Sequence, residues 1–545
     1  MRFYKRGGIS ILLAWLTVFL LVLALVLAEA GRSLAVRYQQ NRAGNTAAEY
    51  VGAAYDRQLF EDYGLLFYDG GMGGGAIQKD AIAAEFRSAF MENAGAGAAP
   101  FLASRDASVI LTKNVSAVDY HGEIMIREAL EYFKYEGAAV LLDKIREQLD
   151  LFGKGEEERE RIQSQDGALE DALSGAGGIQ PQTYRPFSTG AADFTLCAEA
   201  FAWCTADFER GRKKAPAARL LLLDAEETPD EDGEDDAEDY DHEALEQAIN
   251  ESVIGEHERA EATGILKLVL PSGRSLSGAS FLKQGFPSRE FGGEELESEG
   301  ILKEALKKVV FDEYLLEHFP SFVDGGTRDG LSYELEYVLY GDPSDEVNLS
   351  TVVNRLMWMR EGMNLLFLAT SEEKQAAAEE LAMKLAGWTG PAAEVLVPIV
   401  TVAVLAAWAY GESLIDVRTL LSGDRVPILK TEENWNSDLS GLADILKGKF
   451  TAGQDVSFGM SYRDYLRVLL FLGNGEKHAF YAMDMIQLNR QKTDPHFAMR
   501  SELYAMEFET SAGTGPLFTS LPLFENLLHE SGYAGKNKYS FTISY

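Results

Sequence analysis

Few residues in this sequence fall in a pattern that does chemistry. No HExxH, GxSxG, Walker or CxxC pattern occurs, and the seven histidines are scattered singly. His121, ahead of a helical segment, and His318 in EHFP read as cap, surface or packing residues rather than as bases or ligands. Glu334 and Glu336 in YELEY have the spacing of one strand face, where two carboxylates would be solvated. Asp230-Glu231-Asp232-Gly233-Glu234-Asp235 faintly resembles a calcium loop, but its twelfth position is Asp241, where a bidentate Glu is needed. The only cysteines are Cys197 and Cys204; on a helix their Cα atoms would be roughly 10 Å apart, beyond disulfide reach, so a bridge needs a bend there. Asp69-Gly70-Gly71-Met72-Gly73-Gly74-Gly75 lacks a following Lys-Ser/Thr and reads as a hinge or linker, not a phosphate loop. The pattern nominates no catalytic residue, no cofactor and no metal site. One candidate interaction element remains, Glu29, Gly31 and Arg32, placed where a long apolar run ends; snorkelling and solvation are the simpler roles for its two charges.

That run, ISILLAWLTVFLLVLALVLA from Ile9 to Ala28, is free of charge, follows the basic tail MRFYKRGG, and as a helix is about 30 Å long, the thickness of a hydrocarbon core. Ala28-Glu29-Ala30 has the small-x-small pattern of a signal-peptide cleavage site, yet the run exceeds the usual signal core and Leu34 and Val36 carry the helical pattern past the cut. A retained anchor is the expectation. Arg2, Lys5 and Arg6 before the span are matched by Arg32, Arg37 and Arg42 after it, so charge alone barely orients it. A short basic tail is easily left inside, with the acidic body translocated.

The body is long enough for two or more domains, with 46% hydrophobic and 11% aromatic residues among 545. A net charge of -36 with no basic stripe excludes nucleic acid as a natural partner. The expected fold class is α+β and predominantly helical: a transmembrane helix continuing into a long helix, then a mixed α/β extracytoplasmic body with short strands. In segments, residues 1–8 form a cytoplasmic tail, 9–28 the transmembrane helix, 29–68 the long helix and 69–105 a Gly-rich linker region. Residues 106–223 make a first α/β region, 224–248 an acidic linker and 249–545 a mostly helical region. Gly31, Gly44 and Gly52 weaken the long helix and suit close packing against a partner helix, or plain exposure.

Ser108 to Tyr120 reads as a strand and the segment from His121 as an amphipathic helix. The polar stretch 164–188 reads as a connection. GILKLVLPSGRSLSG from Gly264 has strand and turn character, whereas Gly300–Phe319 and Ser350–Gly387 read as helices. Ala392 to Tyr410 is strongly apolar but carries Glu394 and Pro398, which favours a buried core helix over a second span. Tyr462–Phe471 and His478–Asn489 read as amphipathic helices, and KYSFTISY alternates as a strand does.

The segment TVFLLVLALVLAEAGRSLAVRYQQNRAGNTAAEYVGAAYDRQLFEDYGLLFYD resembles the uncharacterised membrane proteins of monoderm bacteria that accompany Tad (tight adherence) pilus genes and share a TadE/TadG-like pseudopilin amino terminus. The resemblance continues through REALEYFKY, LPSGRSLSG, YELEYVLYG, VVNRLMWMREGMNLLFL, AWAYGESLIDVRTLLSGDRVPILKT and SYRDYLRVLLF to the terminal strand. It implies a single-pass protein with a cytoplasmic amino terminus and an outward-facing body, working with membrane proteins of a pilus or type II secretion-like system. Glu29-Ala30-Gly31-Arg32 matches the Glu-x-Gly-Arg pattern of TadE-like helices. One departure stands out: the fifth residue after Gly8 is Leu13 where prepilins carry Glu, which points away from a processed major subunit and toward a minor, tip or assembly component. The alternatives are an anchored adhesin or sensor module, whose isolated body would be active, and an envelope hydrolase, which needs a cleft of convergent carboxylates or a nucleophile.

Overall fold

The computed structural model describes residues 7–136, 242–289, 301–325, 330–515, 517–518 and 536–545. Cys197, Cys204, the 164–188 stretch, the calcium-like loop and residues 224–241 of the acidic linker lie outside these residues. The protein is α+β and predominantly helical, as its patterning predicts. Contacts divide it into two units: residues 1–132, 285–297 and 483–545 in the first, and 133–284 and 298–482 in the second. The contiguous division at 106–223 and 249–545 is thereby corrected, because strands from the end of the chain pair with strands near its start.

In the first unit the apolar run is the beginning of a single helix, α1 (Gly7–Gly52). None of its residues from Leu12 to Ala28 is buried. From there on Glu29, Arg32, Val36, Gln40, Ala43, Ala47 and Val51 are buried, three or four residues apart, so one face of the helix is covered. The same helix is thus apolar all round at first and one-sided afterwards. It is long and apolar enough to cross a membrane.

What covers that face is an antiparallel sheet of β1 (Tyr68–Asp69), β2 (Asp106–Ser116), β3 (Glu502–Gly513) and β4 (Asn537–Ser544), with β3 paired to all the others. β2 runs against β3 from Asp106↔Gly513 to Ser116↔Leu503, and β4 from Asn537↔Ala512 to Ser544↔Ala505. Ala43, Ala47 and Val51 of α1 join Met506, Phe508, Phe541 and Ile543 of the sheet in one core. Helix α2 (Arg57–Tyr63) follows a turn, capped by the Asp56 carboxylate. Helix α3 (Lys79–Met91) places Phe86 against Phe508 at 4.4 Å and Phe541 at 5.8 Å between ring centroids. Helix α4 (Glu123–Glu136) and part of the helix Gly475–Arg490 complete the unit.

Three expectations change here. The long helix ends at Gly52 rather than near residue 68, and Gly44 and Gly52 face β4 of the same chain instead of a partner helix. A Cβ on Gly44 would lie 1.9 Å from Cζ of Phe541, so only glycine lets the strand come this close. The 69–105 segment is no linker either, since it contains α3. At its start the Asp69 carboxylate takes hydrogen bonds from the amides of Gly71 at 2.9 Å and Gly73 at 2.8 Å, which ties the glycine turn down.

The second unit is helical: α5 (His242–Asn250), α6 (Val253–Thr263), α7 (Ile265–Val269), α8 (Ile301–His318), α9 (Glu334–Tyr340), α10 (Asp345–Thr370), α11 (Glu372–Ala386), α12 (Ala393–Ser422), α13 (Leu442–Leu446) and α14 (Tyr462–Leu472). The apolar α12 packs with α10 and α11 and is buried along most of its length. Where the sequence suggests one helix over 350–387, Ser371 is extended and its hydroxyl accepts from the Lys374 amide, capping α11 and splitting the run. ILKLV is the short helix α7 rather than a strand.

Candidate functional site: a polar clamp at the end of the apolar helix

Glu29 and Arg32 stand one turn apart on the covered face of α1, and the structure brings them together. Oε1 of Glu29 accepts from Nε of Arg32 at 2.8 Å and from Nη2 at 2.5 Å. Arg32 also donates from Nη1 to the carbonyl of Phe101 at 3.1 Å and from Nη2 to that of Gly515 at 2.8 Å. The other oxygen of Glu29 accepts from the amides of Leu517 at 3.0 Å and Phe518 at 2.8 Å. Burial pushes the Glu29 carboxyl up, but the hydrogen bonds from Arg32, Phe518 and Leu517 outweigh it and hold its pKa below the usual carboxylate value.

Both side chains are buried, 3% and 9% exposed, which corrects the picture of two charges left at the membrane edge for an outside contact. Their polar capacity is taken up by the loop before β2 and by the chain after β3. Gly31 points the other way, exposed, with nothing within 4 Å of a Cβ placed on it. Of the three residues, only Gly31 offers a free surface.

Two turns on, Gln40 continues the polar seam. It is fully buried, donates to Ser104 Oγ at 2.9 Å, and accepts from Asn537 Nδ2 at 2.9 Å and the Tyr539 hydroxyl at 3.0 Å. Glu29, Arg32 and Gln40 therefore fasten α1 to the ends of β2, β3 and β4. Sequence reading missed Gln40; its signal was a polar residue on the buried stripe.

The second unit holds a network that no motif announced. Arg360 of α10 is completely buried and donates from Nε to Asp416 of α12 at 2.9 Å, and from Nη1 to the carbonyls of Pro427 and Ile428 and the Tyr465 hydroxyl. Lys430 lies 2.7 Å from both Asp416 Oδ1 and Glu412 Oε1. Glu412 also accepts from the amides of Asn436 at 3.0 Å and Ser437 at 2.9 Å. Burial raises the Asp416 pKa, but Arg360 and Lys430 together bring it below the usual value. Two acids and two bases balance, and each is hydrogen-bonded, so the network offers no spare charge to a substrate. Its work is to fix how α10, α12 and the 425–437 segment fit together.

Glu336, expected on a solvated strand face, is fully buried on α9. Its Oε1 accepts from the Phe322 amide at 2.9 Å and the Tyr462 hydroxyl at 2.7 Å, while burial pushes its pKa up to about 7. Glu334, also buried, shares that helix. In the first unit Glu128 accepts from the Leu66 amide at 3.0 Å and is likewise pushed up to about 7 by burial. His121 lies in a left-handed turn at φ 55 before α4, and His318 Nδ1 is 3.0 Å from the Tyr314 carbonyl.

A cavity of about 360 Å³ in the second unit is lined by Ile415, Asn436, Ile445, Phe450, Thr451, Ala452, Gly453 and Gln454, none of them ionisable. Among the described residues no group of three His, Cys, Asp or Glu side chains is arranged to hold a metal ion.

A helix-mounted α+β unit and a helical unit with a buried ion network define this protein's class. Residues 243–514 match the model of a family of unknown function, DUF5702. That stretch includes Arg360, Glu412, Asp416, Lys430 and Glu336, so the buried network lies inside the matched region. No curated protein matches the chain, and no solved structure does.

Proposed function

We propose that this chain is a membrane-anchored, surface-facing, pseudopilin-like or accessory component of a Tad-type pilus or type II secretion-like system, with a structural and interaction role. Its partners are then membrane proteins of that machine, its amino terminus is cytoplasmic, and the bulk of the chain is extracytoplasmic. The observation that carries the reading is α1. One unbroken helix is bare and apolar over residues 12–28 and then lies on an antiparallel sheet over residues 29–51. A helix built this way can hold the body at a membrane and present its bare half to neighbouring helices. The resemblance of the same residues to TadE/TadG-like amino termini agrees with that use.

The test is to shear filaments from cells carrying a carboxy-terminally tagged copy and to blot filament and membrane fractions. Recovery of the tag with the filaments is expected of a minor or tip component. Retention of all of it in the membrane, with normal filaments in cells lacking the gene, contradicts the proposal and turns attention to an anchored adhesin or sensor.

A further inference from the structure

The clamp does more than fasten a helix. Glu29 is the first residue after the apolar run, about 1.5 Å of helix rise beyond Ala28. Four hydrogen bonds of 2.8 to 3.1 Å tie Phe101, Gly515, Leu517 and Phe518 to Glu29 and Arg32. These two loops are therefore held at the level where the helix leaves the hydrocarbon. At that level Phe101, Leu517 and Phe518 are 54%, 46% and 38% exposed, and on the other faces of α1 Leu27 and Leu34 are 63% and 67% exposed. Single exposed apolar residues mean little on a soluble surface. Here three of them are carried by loops tied to one turn of α1, next to the end of a span. The Arg105 guanidinium lies beside Gly515, whose added Cβ would be 2.9 Å from Nη1, and its side chain is exposed. In a chain of net charge -36 it is a local cation beside the apolar group.

We infer that Phe101, Leu517 and Phe518 form a collar that seats the first unit directly on the bilayer, their side chains entering the interfacial layer and Arg105 facing lipid phosphate. The inference rests on residues 9–28 spanning the membrane, and it goes beyond a pilus role, since it fixes where the body sits. Continuity with the span selects lipid as the occupant, because any bilayer containing residues 9–28 reaches the collar. The internal pairing of Glu29 with Arg32 fits the same setting. A carboxylate left unpaired beside hydrocarbon is costly, whereas here both of its oxygens are hydrogen-bonded within the chain. Interfacial anchoring of this kind uses aromatic and leucine side chains with nearby cations.

The test uses the full chain with Cys197→Ser and Cys204→Ser, reconstituted in vesicles of phosphatidylcholine and phosphatidylglycerol. Nitroxides are placed singly through Phe101→Cys, Leu517→Cys, Phe518→Cys, Leu20→Cys and Tyr50→Cys, and their collision rates with oxygen and with a water-soluble nickel chelate are compared. The collar predicts an oxygen-to-nickel ratio at 101, 517 and 518 shifted from the value at exposed Tyr50 toward that at Leu20. Ratios equal to that at site 50, with site 20 still oxygen-favoured, overturn the collar and leave the anchor standing. A nickel-accessible site 20 overturns both. Shielding of the three sites from both reagents, with spin–spin broadening, assigns the face to a second copy and overturns lipid as the occupant.

Discussion

Glu29 gives one oxygen to Arg32 and the other to the backbone: Oε1 accepts both guanidinium hydrogen bonds, and Oε2 accepts the amides of Leu517 and Phe518. Neither side chain can be removed without stranding the other. Glu29→Ala leaves Arg32 buried against two carbonyls with no counter-charge, and a loss of about 3 kcal/mol is expected. The Arg32→Ala change should cost a similar amount, and the double variant less than the sum. Urea unfolding of the full chain in detergent micelles, run as a double-mutant cycle, measures the coupling. Additive effects would show the clamp to be idle.

The three glycines of α1 should answer differently to alanine. At Gly44 the new methyl meets the Phe541 ring, itself packed near Phe86, and overpacking of this kind costs about 1 to 3 kcal/mol. At Gly31 nothing stands within 4 Å, so Ala should gain up to about 1 kcal/mol of helix propensity. Gly52, where Ile543 Cγ2 would be 3.2 Å away, should fall between them. Thermal midpoints of the three variants in one detergent give the ranking, and destabilisation by Gly31→Ala equal to that of Gly44→Ala would refute the packing of α1 on β4.

In the second unit, Asp416→Ala leaves Arg360 and Lys430 buried with Glu412 as the one remaining acid of the network. A loss of about 3 to 5 kcal/mol follows from breaking a buried pair of this kind. Asp416→Asn keeps the shape and two hydrogen-bonding atoms but not the charge, and should lose a smaller part. Circular dichroism with urea, read against the wild type, separates the two. Equal, small effects would mean that the network does not hold α10 to α12.

Stability should also depend on pH through Glu336 and Glu128, each pushed up to about 7 by burial. A carboxyl whose folded pKa lies above its unfolded value of 4.5 stays protonated in the native state while the unfolded chain ionises. Its contribution is fully present below pH 4.5 and is lost as pH rises through 7. Each shift is worth roughly 3 kcal/mol across that window. Glu336→Gln should therefore flatten the fall in unfolding free energy between pH 5 and pH 7.5 relative to wild type. An unchanged slope would place the ionised carboxylate in the fold.

Parts of this architecture were legible because local pattern and final environment agree. Ile9 to Ala28 carries no charge, and from Leu12 on it is bare in the structure; KYSFTISY alternates, and β4 buries Phe541 and Ile543. The strand at β2 and the helices at 301–318, 462–472 and 475–490 announce themselves in the same way. β3 alternates too, burying Met506, Phe508, Thr510 and Ala512, but its pairing with β2 joins residues about four hundred positions apart, and no local signal specifies that. The candidate site was half legible. Glu29 and Arg32 were found by position, while their burial depends on Gly515, Leu517 and Phe518, far along the chain. Glu336 misled because YELEY has a strand's period, and a buried acid is improbable until the Tyr462 hydroxyl and Phe322 amide that satisfy it are placed.

We propose that α1 acts in filament assembly as a specific helix and not as a plain tether. Residues 9–28 can be exchanged for an unrelated apolar span of equal length, leaving Glu29 onward intact, and filaments counted in cells whose membranes contain the exchanged protein at the normal level. Few or no filaments are expected. Full assembly with the foreign span would contradict the proposal.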